Sequence, residues 1–351
     1  MKSKPMTKFA ILTLSLILVA CAGGGSEEAG CPAIDGREIN VVATTPMIGE
    51  FVSQVGGENI NLTVLMPPEA NPHTYEPAPQ DAGTIAEADL VFYTGLLYEP
   101  AALVKLLENS ACSTDILSEV GESVFPIEFK EGGHDDHDDH DDHDDHDDEE
   151  GHDDEEGHDD HDDEEGHDDH EGHNHGAYDP HFWFDPSRVA YAAEYIESRL
   201  IQFDPENESS YKSSADSFVS ELNDLTKQVS ELISTVPSQN RKLITTHESL
   251  GYLEAKFGLE VLSTIIPSLN SANEISPSDL AGVIDVIEDN NVKVIFIESE
   301  APSVYSETIV AETGIKPVTG LYVETLKPGQ SYSEFLISNV KLITENLQDT
   351  D

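Results

Sequence analysis

Histidine is scarce through most of this chain. Fifteen of its 351 residues are histidine, and twelve of those crowd between His134 and His175. Everything else holds three: His73, His181 and His247. Bases are scarce as well, with 17 Lys and Arg against 71 Asp and Glu, a formal charge of −54. Such a chain cannot neutralise phosphates, which excludes nucleic acid as a partner. Tryptophan occurs once, at Trp183, and cysteine three times, never as a zinc-type Cys-x-x-Cys pair. The only apolar run of any length, Phe9 to Val19, is too short to span a bilayer stably.

That run carries its own message. Lys2, Lys4 and Lys8 precede it, and it ends in Leu18-Val19-Ala20-Cys21. A basic region, a short apolar core and a small residue before a cysteine read as a secretion signal. The last four residues look like a bacterial lipobox, so residues 1–21 are read as a lipoprotein signal with Cys21 lipidated. Residues 22–37 form a flexible tether beginning Ala22-Gly23-Gly24-Gly25-Ser26. The body is expected outside the cytoplasm, at the cell surface or in the periplasm, held to the membrane by lipid. Cys31 and Cys112 remain, an even pair in an oxidising compartment; a disulfide is expected, with two buried thiols as the alternative.

Residues 131–176 hold 26 Asp and Glu and no Lys or Arg, leaving 45 acids against 17 bases elsewhere. The twelve histidines here are His134, His137, His140, His143, His146, His152, His158, His161, His167, His170, His173 and His175. With no apolar residue to bury, the tract is expected to be disordered in the absence of metal. Each His-Asp-Asp unit offers an imidazole and carboxylates, so low-affinity metal binding is expected. Copper and nickel would suit it as well as zinc.

Without signal, tether and tract, about 270 residues remain, enough for two domains. In residues 38–205, strand-like runs at 39–45, 60–65 and 90–93 alternate with helical stretches. Residues 237–351 repeat this pattern with strand-like runs at 242–246, 259–265, 292–297 and 318–321. Alternation of this kind predicts an α/β fold with parallel sheets. Between them, residues 206–236 place Phe218, Leu222, Leu225, Val229 and Leu232 at helical spacing. A helix over about 29 of these residues would be about 43 Å long and suits a rigid connector between two Rossmann-like lobes.

The three isolated histidines stand in distinctive settings. His73 lies in Asn71-Pro72-His73-Thr74-Tyr75-Glu76-Pro77, between prolines. His181 lies in Asp179-Pro180-His181-Phe182-Trp183-Phe184-Asp185-Pro186, and His247 in Thr245-Thr246-His247-Glu248-Ser249. His73 and His247 each follow a predicted strand, where ligands collect in open α/β sheets. Together the three read as metal ligands in an interlobe cleft. Glu324 and Glu298, each near the end of a predicted strand, are the acidic candidates for a fourth ligand. Glu248 is a candidate to fix an imidazole tautomer from behind.

These segments resemble the metal motifs of the zinc/manganese substrate-binding lipoproteins of ABC transporters. Glu274-Ile275-Ser276-Pro277 and Ser331-Tyr332-Ser333-Glu334-Phe335 are also similar to that family. The resemblance implies two lobes on a linking helix with metal between them, and places the first three ligands at His73, His181 and His247. Histidine rather than glutamate at 247 implies zinc over manganese. Glu324 matches the fourth position, although aspartate is commoner there; Glu298 or water is the alternative. The family's His-rich acidic loop falls between its first two ligands, as the tract does here. The implied function is zinc capture and delivery to an ABC permease and its ATPase, by a monomer, with the tract as accessory capture or sensing. Two other classes compete: a surface-anchored zinc hydrolase, and a metal buffer or cell-adhesion protein without a permease. The hydrolase is disfavoured because neither His-Glu-x-x-His nor Gly-x-Ser-x-Gly occurs.

Overall fold

The computed structural model describes residues 31, 33–34, 36–68, 70–129, 178–266, 276–300 and 304–348. The signal with Cys21, most of the tether, and the tract with its twelve histidines lie outside the described residues.

The N-terminal lobe alternates strand and helix: β1 (Ile39–Ala43), α1 (Pro46–Gly56), β2 (Ile60–Val64), α2 (Pro79–Ala86), β3 (Leu90–Tyr93), α3 (Ala101–Ser110) and β4 (Leu117–Glu119). Its strands pair in parallel in the order β2-β1-β3-β4. Apart from Asn40, β1 is apolar because both faces are covered. Ile39, Val41 and Ala43 join one core with α1, while Val42 joins another with Ile85, Leu103 and Leu107. The short β4 was not legible as a strand; Ser118 and Glu119 offer no apolar run, and pairing with β3 creates it. A disulfide joins Cys31 to Cys112, with Cα atoms 5.0 Å apart, and ties the start of this lobe to the end of α3.

Two helices follow. α4 (Pro186–Phe203) begins at Asp185, whose side chain accepts from Ser187 N. α5 (Glu208–Ser234) buries Tyr211, Ala215, Phe218, Leu222, Leu225, Val229 and Ile233 along one stripe. At 27 residues it is about 40 Å long. It packs against α1 and α4, and further along against α9 (Tyr332–Gln348) of the other lobe.

The C-terminal lobe holds β5 (Lys242–Thr245), α6 (Gly251–Phe257), β6 (Glu260–Thr264), α7 (Pro277–Asp289), β7 (Val294–Glu298), α8 (Val304–Thr313), β8 (Lys316–Leu321) and then α9. Its strands form two parallel pairs, β5-β6 and β7-β8. One hydrophobic cluster runs through the whole molecule, from Ile39 of β1 along α5 to Leu347 of α9. The lobes thus share a core, and smaller clusters fill their outer faces. The loops after β2, β5, β7 and β8 meet where the two lobes face each other.

Candidate metal centre

His73 sits in a short 3-10 turn, Pro72–Thr74, whose start is capped by Asn71: the Asn71 side chain accepts from His73 N at 2.9 Å. His181 immediately precedes the turn Phe182–Phe184, three rings that are fully buried. His247 follows β5 and Glu324 follows β8. His181, His247 and Glu324 have side chains 2%, 3% and 0% exposed, and that of His73 is 6% exposed. Four residues far apart in sequence thus share one nearly dry position.

Their atoms converge. Glu324 Oε1 lies 3.2 Å from His73 Nε2, 3.4 Å from His181 Nε2 and 2.8 Å from His247 Nε2. The Nε2 atoms of His181 and His247 are 3.4 Å apart. All four ligand atoms lie within 4.8 Å of one another. A tetrahedral zinc with ligands at about 2.0–2.1 Å separates its ligand atoms by roughly 3.3–3.4 Å. The 3.2–3.4 Å spacings match that cage, the 2.8 Å contact of His247 with Glu324 is shorter, and the donor set of three imidazoles and one carboxylate suits a borderline-soft divalent ion.

Behind the cage stand other groups. Asp179 Oδ1 is 2.7 Å from His181 Nδ1 and accepts from His181 N at 2.9 Å. Glu298 Oε2 is 2.5 Å from His247 Nδ1, and its Oε1 accepts from His247 N at 3.2 Å. Each carboxylate fixes the ring so that Nε2 points inward. A Cβ at Gly251 would stand 2.6 Å from Asp179 Oδ2, so glycine at the start of α6 is what admits this brace. Glu298, weighed from the sequence as a fourth ligand, therefore faces the ring edge turned away from the cage. It also takes the bracing position expected of Glu248.

Two neighbours of Glu324 escaped sequence reading. Tyr98, 1% exposed, lies with its hydroxyl 2.8 Å from Glu324 Oε2. It is carried by a loop in which Gly95, Leu96 and Leu97 have φ of +77°, +52° and +60°. Left-handed backbone costs a leucine roughly 1–2 kcal/mol. The loop is held by Glu99, which accepts from Thr94 N, Gly95 N and Thr44 Oγ1 at 2.7, 2.9 and 2.7 Å. Glu300 Oε1 accepts from Glu324 N at 3.4 Å, and its Oε2 is buried without a hydrogen-bond partner among the described residues. The leucine pair in Gly95-Leu96-Leu97-Tyr98 carries no sequence mark of such a turn, and Tyr98 lies 226 residues from its partner.

Charge is distributed accordingly. Burial opposes a charge on His181, yet Glu324 and Asp179 outweigh it and hold its pKa at about 9. Burial likewise opposes His247, and Glu298 and Glu324 raise it well above the usual range. Burial would raise Glu324, but His73 and His181 hold it well below. Burial, and next the charge of Glu324, push Tyr98 well above 10, so its phenol keeps its proton. The same two causes raise Glu300 to about 8. An anionic pocket that holds protons without metal will exchange them for a cation.

The family described as "Zinc-uptake complex component A periplasmic" matches residues 41–346. The chain belongs to that family. It is a metal-binding substrate-binding protein of an ABC importer, not an enzyme, so the zinc hydrolase weighed from the sequence falls. The chain is 25% identical to the manganese ABC transporter substrate-binding lipoprotein PsaA of Streptococcus anginosus, covering 98% of this chain and 99% of that protein. It is 27% identical to the high-affinity zinc uptake system protein ZnuA of Bacillus subtilis (strain 168), covering 97% and 96%. The periplasmic zinc binding protein TroA from Treponema pallidum shares the fold, with a TM-score of 0.69 at 20% identity over 88% of this chain and 99% of that one. The relatives are thus named for two different metals.

Proposed function

We propose that this protein captures zinc outside the cytoplasm and delivers it to the permease of an ABC importer, with His73, His181, His247 and Glu324 as the four ligands. One observation carries this reading: three imidazole Nε2 atoms and one carboxylate oxygen meet within 4.8 Å in a nearly solvent-free position. Three nitrogens and one oxygen favour zinc over manganese, which prefers more ligands and mostly oxygen. Lipidation at Cys21 would keep the body near its permease. No helix among the described residues is long and apolar enough to cross a membrane.

The twelve histidines of residues 131–176 serve in accessory zinc capture or sensing. Their affinity is lower than that of the cage, whose four ligand atoms already converge. The test is zinc stoichiometry and affinity, by competition with a strong chelator, on the full chain and on a chain lacking residues 131–176. One tight site is expected in both, with additional weak sites in the full chain alone. Absence of the tight site from the shortened chain would move the metal chemistry to the tract and sink this reading.

A further inference from the structure

Tyr98 touches the carboxylate of the cage at the oxygen that does not face the histidines. Its hydroxyl lies 2.8 Å from Glu324 Oε2 and 3.1 Å from the Glu324 main-chain oxygen. Oε1 is the atom that faces all three Nε2 atoms. The phenol ring stands edge-on to His73, His181 and Trp183, at centroid distances of 4.9, 5.9 and 5.3 Å. The indole of Trp183 in turn donates to Val323 O at 2.8 Å, next to Glu324. Ring contacts thus hold the phenol while its hydroxyl rests on Glu324, and Trp183 anchors the main chain next to that carboxylate.

Divalent ions differ in how many ligands they demand. Zinc is satisfied by four, whereas manganese is at home in an octahedral, oxygen-rich shell. A carboxylate supplies one oxygen or two, and the second would raise the coordination number to five. We propose that Tyr98 is a specificity-determining residue. By occupying Oε2 it confines Glu324 to a single ligand oxygen, holds the site to four ligands and selects zinc against manganese. This selectivity presupposes that the four side chains bind the ion, as proposed above.

Two measurements on the full chain test it. X-ray absorption of the tightly bound zinc should show three nitrogens and one oxygen at about 2.0–2.1 Å. A five-coordinate zinc with both Glu324 oxygens bound overturns the proposal, whatever any variant does. Tyr98→Phe keeps the ring and removes only the hydroxyl. In chelator competition with Zn2+ and Mn2+ measured separately, the ratio of zinc to manganese affinity should fall at least about tenfold. The electron paramagnetic resonance spectrum of bound manganese should change with it. A ratio within about twofold of the unsubstituted protein overturns the proposal. His181→Ala, titrated alongside, separates the two possible failures. If it keeps the tight zinc site, the ligand set is wrong and the role of Tyr98 falls with it. If it loses that site while Tyr98→Phe leaves the ratio unchanged, only the role of Tyr98 falls.

Discussion

His181 and His247 differ from His73 in what stands behind the ring. The first two each have a carboxylate on Nδ1, Asp179 and Glu298, at 2.7 and 2.5 Å. The Nδ1 of His73 is buried with no hydrogen-bond partner among the described residues, and its support is the Asn71 cap on its backbone. The braced rings lie closer together, with centroids 5.3 Å apart, than either lies to His73, at 6.1 and 6.0 Å. Two of the three imidazoles therefore form a platform of fixed tautomer, which the third meets from the N-terminal lobe. Orientation bound up in the brace is orientation that metal binding need not impose, so the pair should carry more of the affinity than its ligand count implies.

The largest effect that would break this comparison is removal of a ring. His181→Ala and His247→Ala should each abolish the tight zinc site in chelator competition, since each removes a ligand and strips a buried carboxylate of its imidazole partner. Survival of tight binding in either would dissolve the platform. The braces come next. Asp179→Asn and Glu298→Gln should each weaken zinc about 10–100-fold, whereas Asn71→Ala, which touches the backbone of His73 and, at 3.5 Å, Glu300 O but no ring nitrogen, should stay below about tenfold. Equal losses in all three would mean that the braces do not distinguish the rings.

The smallest effect is a pH dependence, and its sign is determined by the pair. His181 is raised from an unfolded value of about 6.5 to about 9 without metal. Its contribution to the stability of the metal-free protein is complete below about 6.5 and is lost as the pH rises through about 9. His247 shifts in the same direction. Zinc requires neutral imidazole, so binding at neutral pH should release protons, and affinity should climb with pH over that window. Calorimetry in buffers of different ionisation enthalpy counts the protons. Denaturant midpoints at pH 6.5 and 9 should fall for the metal-free protein and hold for the zinc-loaded one. A pH-independent affinity with no proton release would contradict this charge assignment.

Legibility in the sequence followed the range of the interaction. The helix 206–236 was readable from apolar spacing, and α5 occupies Glu208–Ser234 within it, after a 3-10 turn at Pro205–Asn207. β1, β3 and β7 showed as apolar runs because both faces are largely covered; β4, too short and polar to show, exists only by pairing with β3. In the second lobe the alternation was expected to repeat, and it does, with its strands in the parallel pairs β5-β6 and β7-β8. At the site, the three histidines stood out by rarity. The carboxylates did not, since Glu248, Glu298, Glu300 and Glu324 look alike in local sequence. Their roles depend on which atom faces which ring. The register shift between Ile297 and Glu298 on β7 is one place where that is settled, and no periodicity reveals it.

By itself, then, the sequence determined the alternation of strands and helices, the linking helix and the three histidines, because each is written in residue type and spacing within one segment. The tertiary structure decided that Glu324, the match the resemblance offered, faces the rings rather than Glu298, and it alone decided that Asp179 and Glu298 stand behind two of them and that Tyr98 holds the far oxygen. Those choices depend on side-chain directions across contacts of up to 251 residues in sequence, where burial makes each unpaired group costly and so selects a single arrangement.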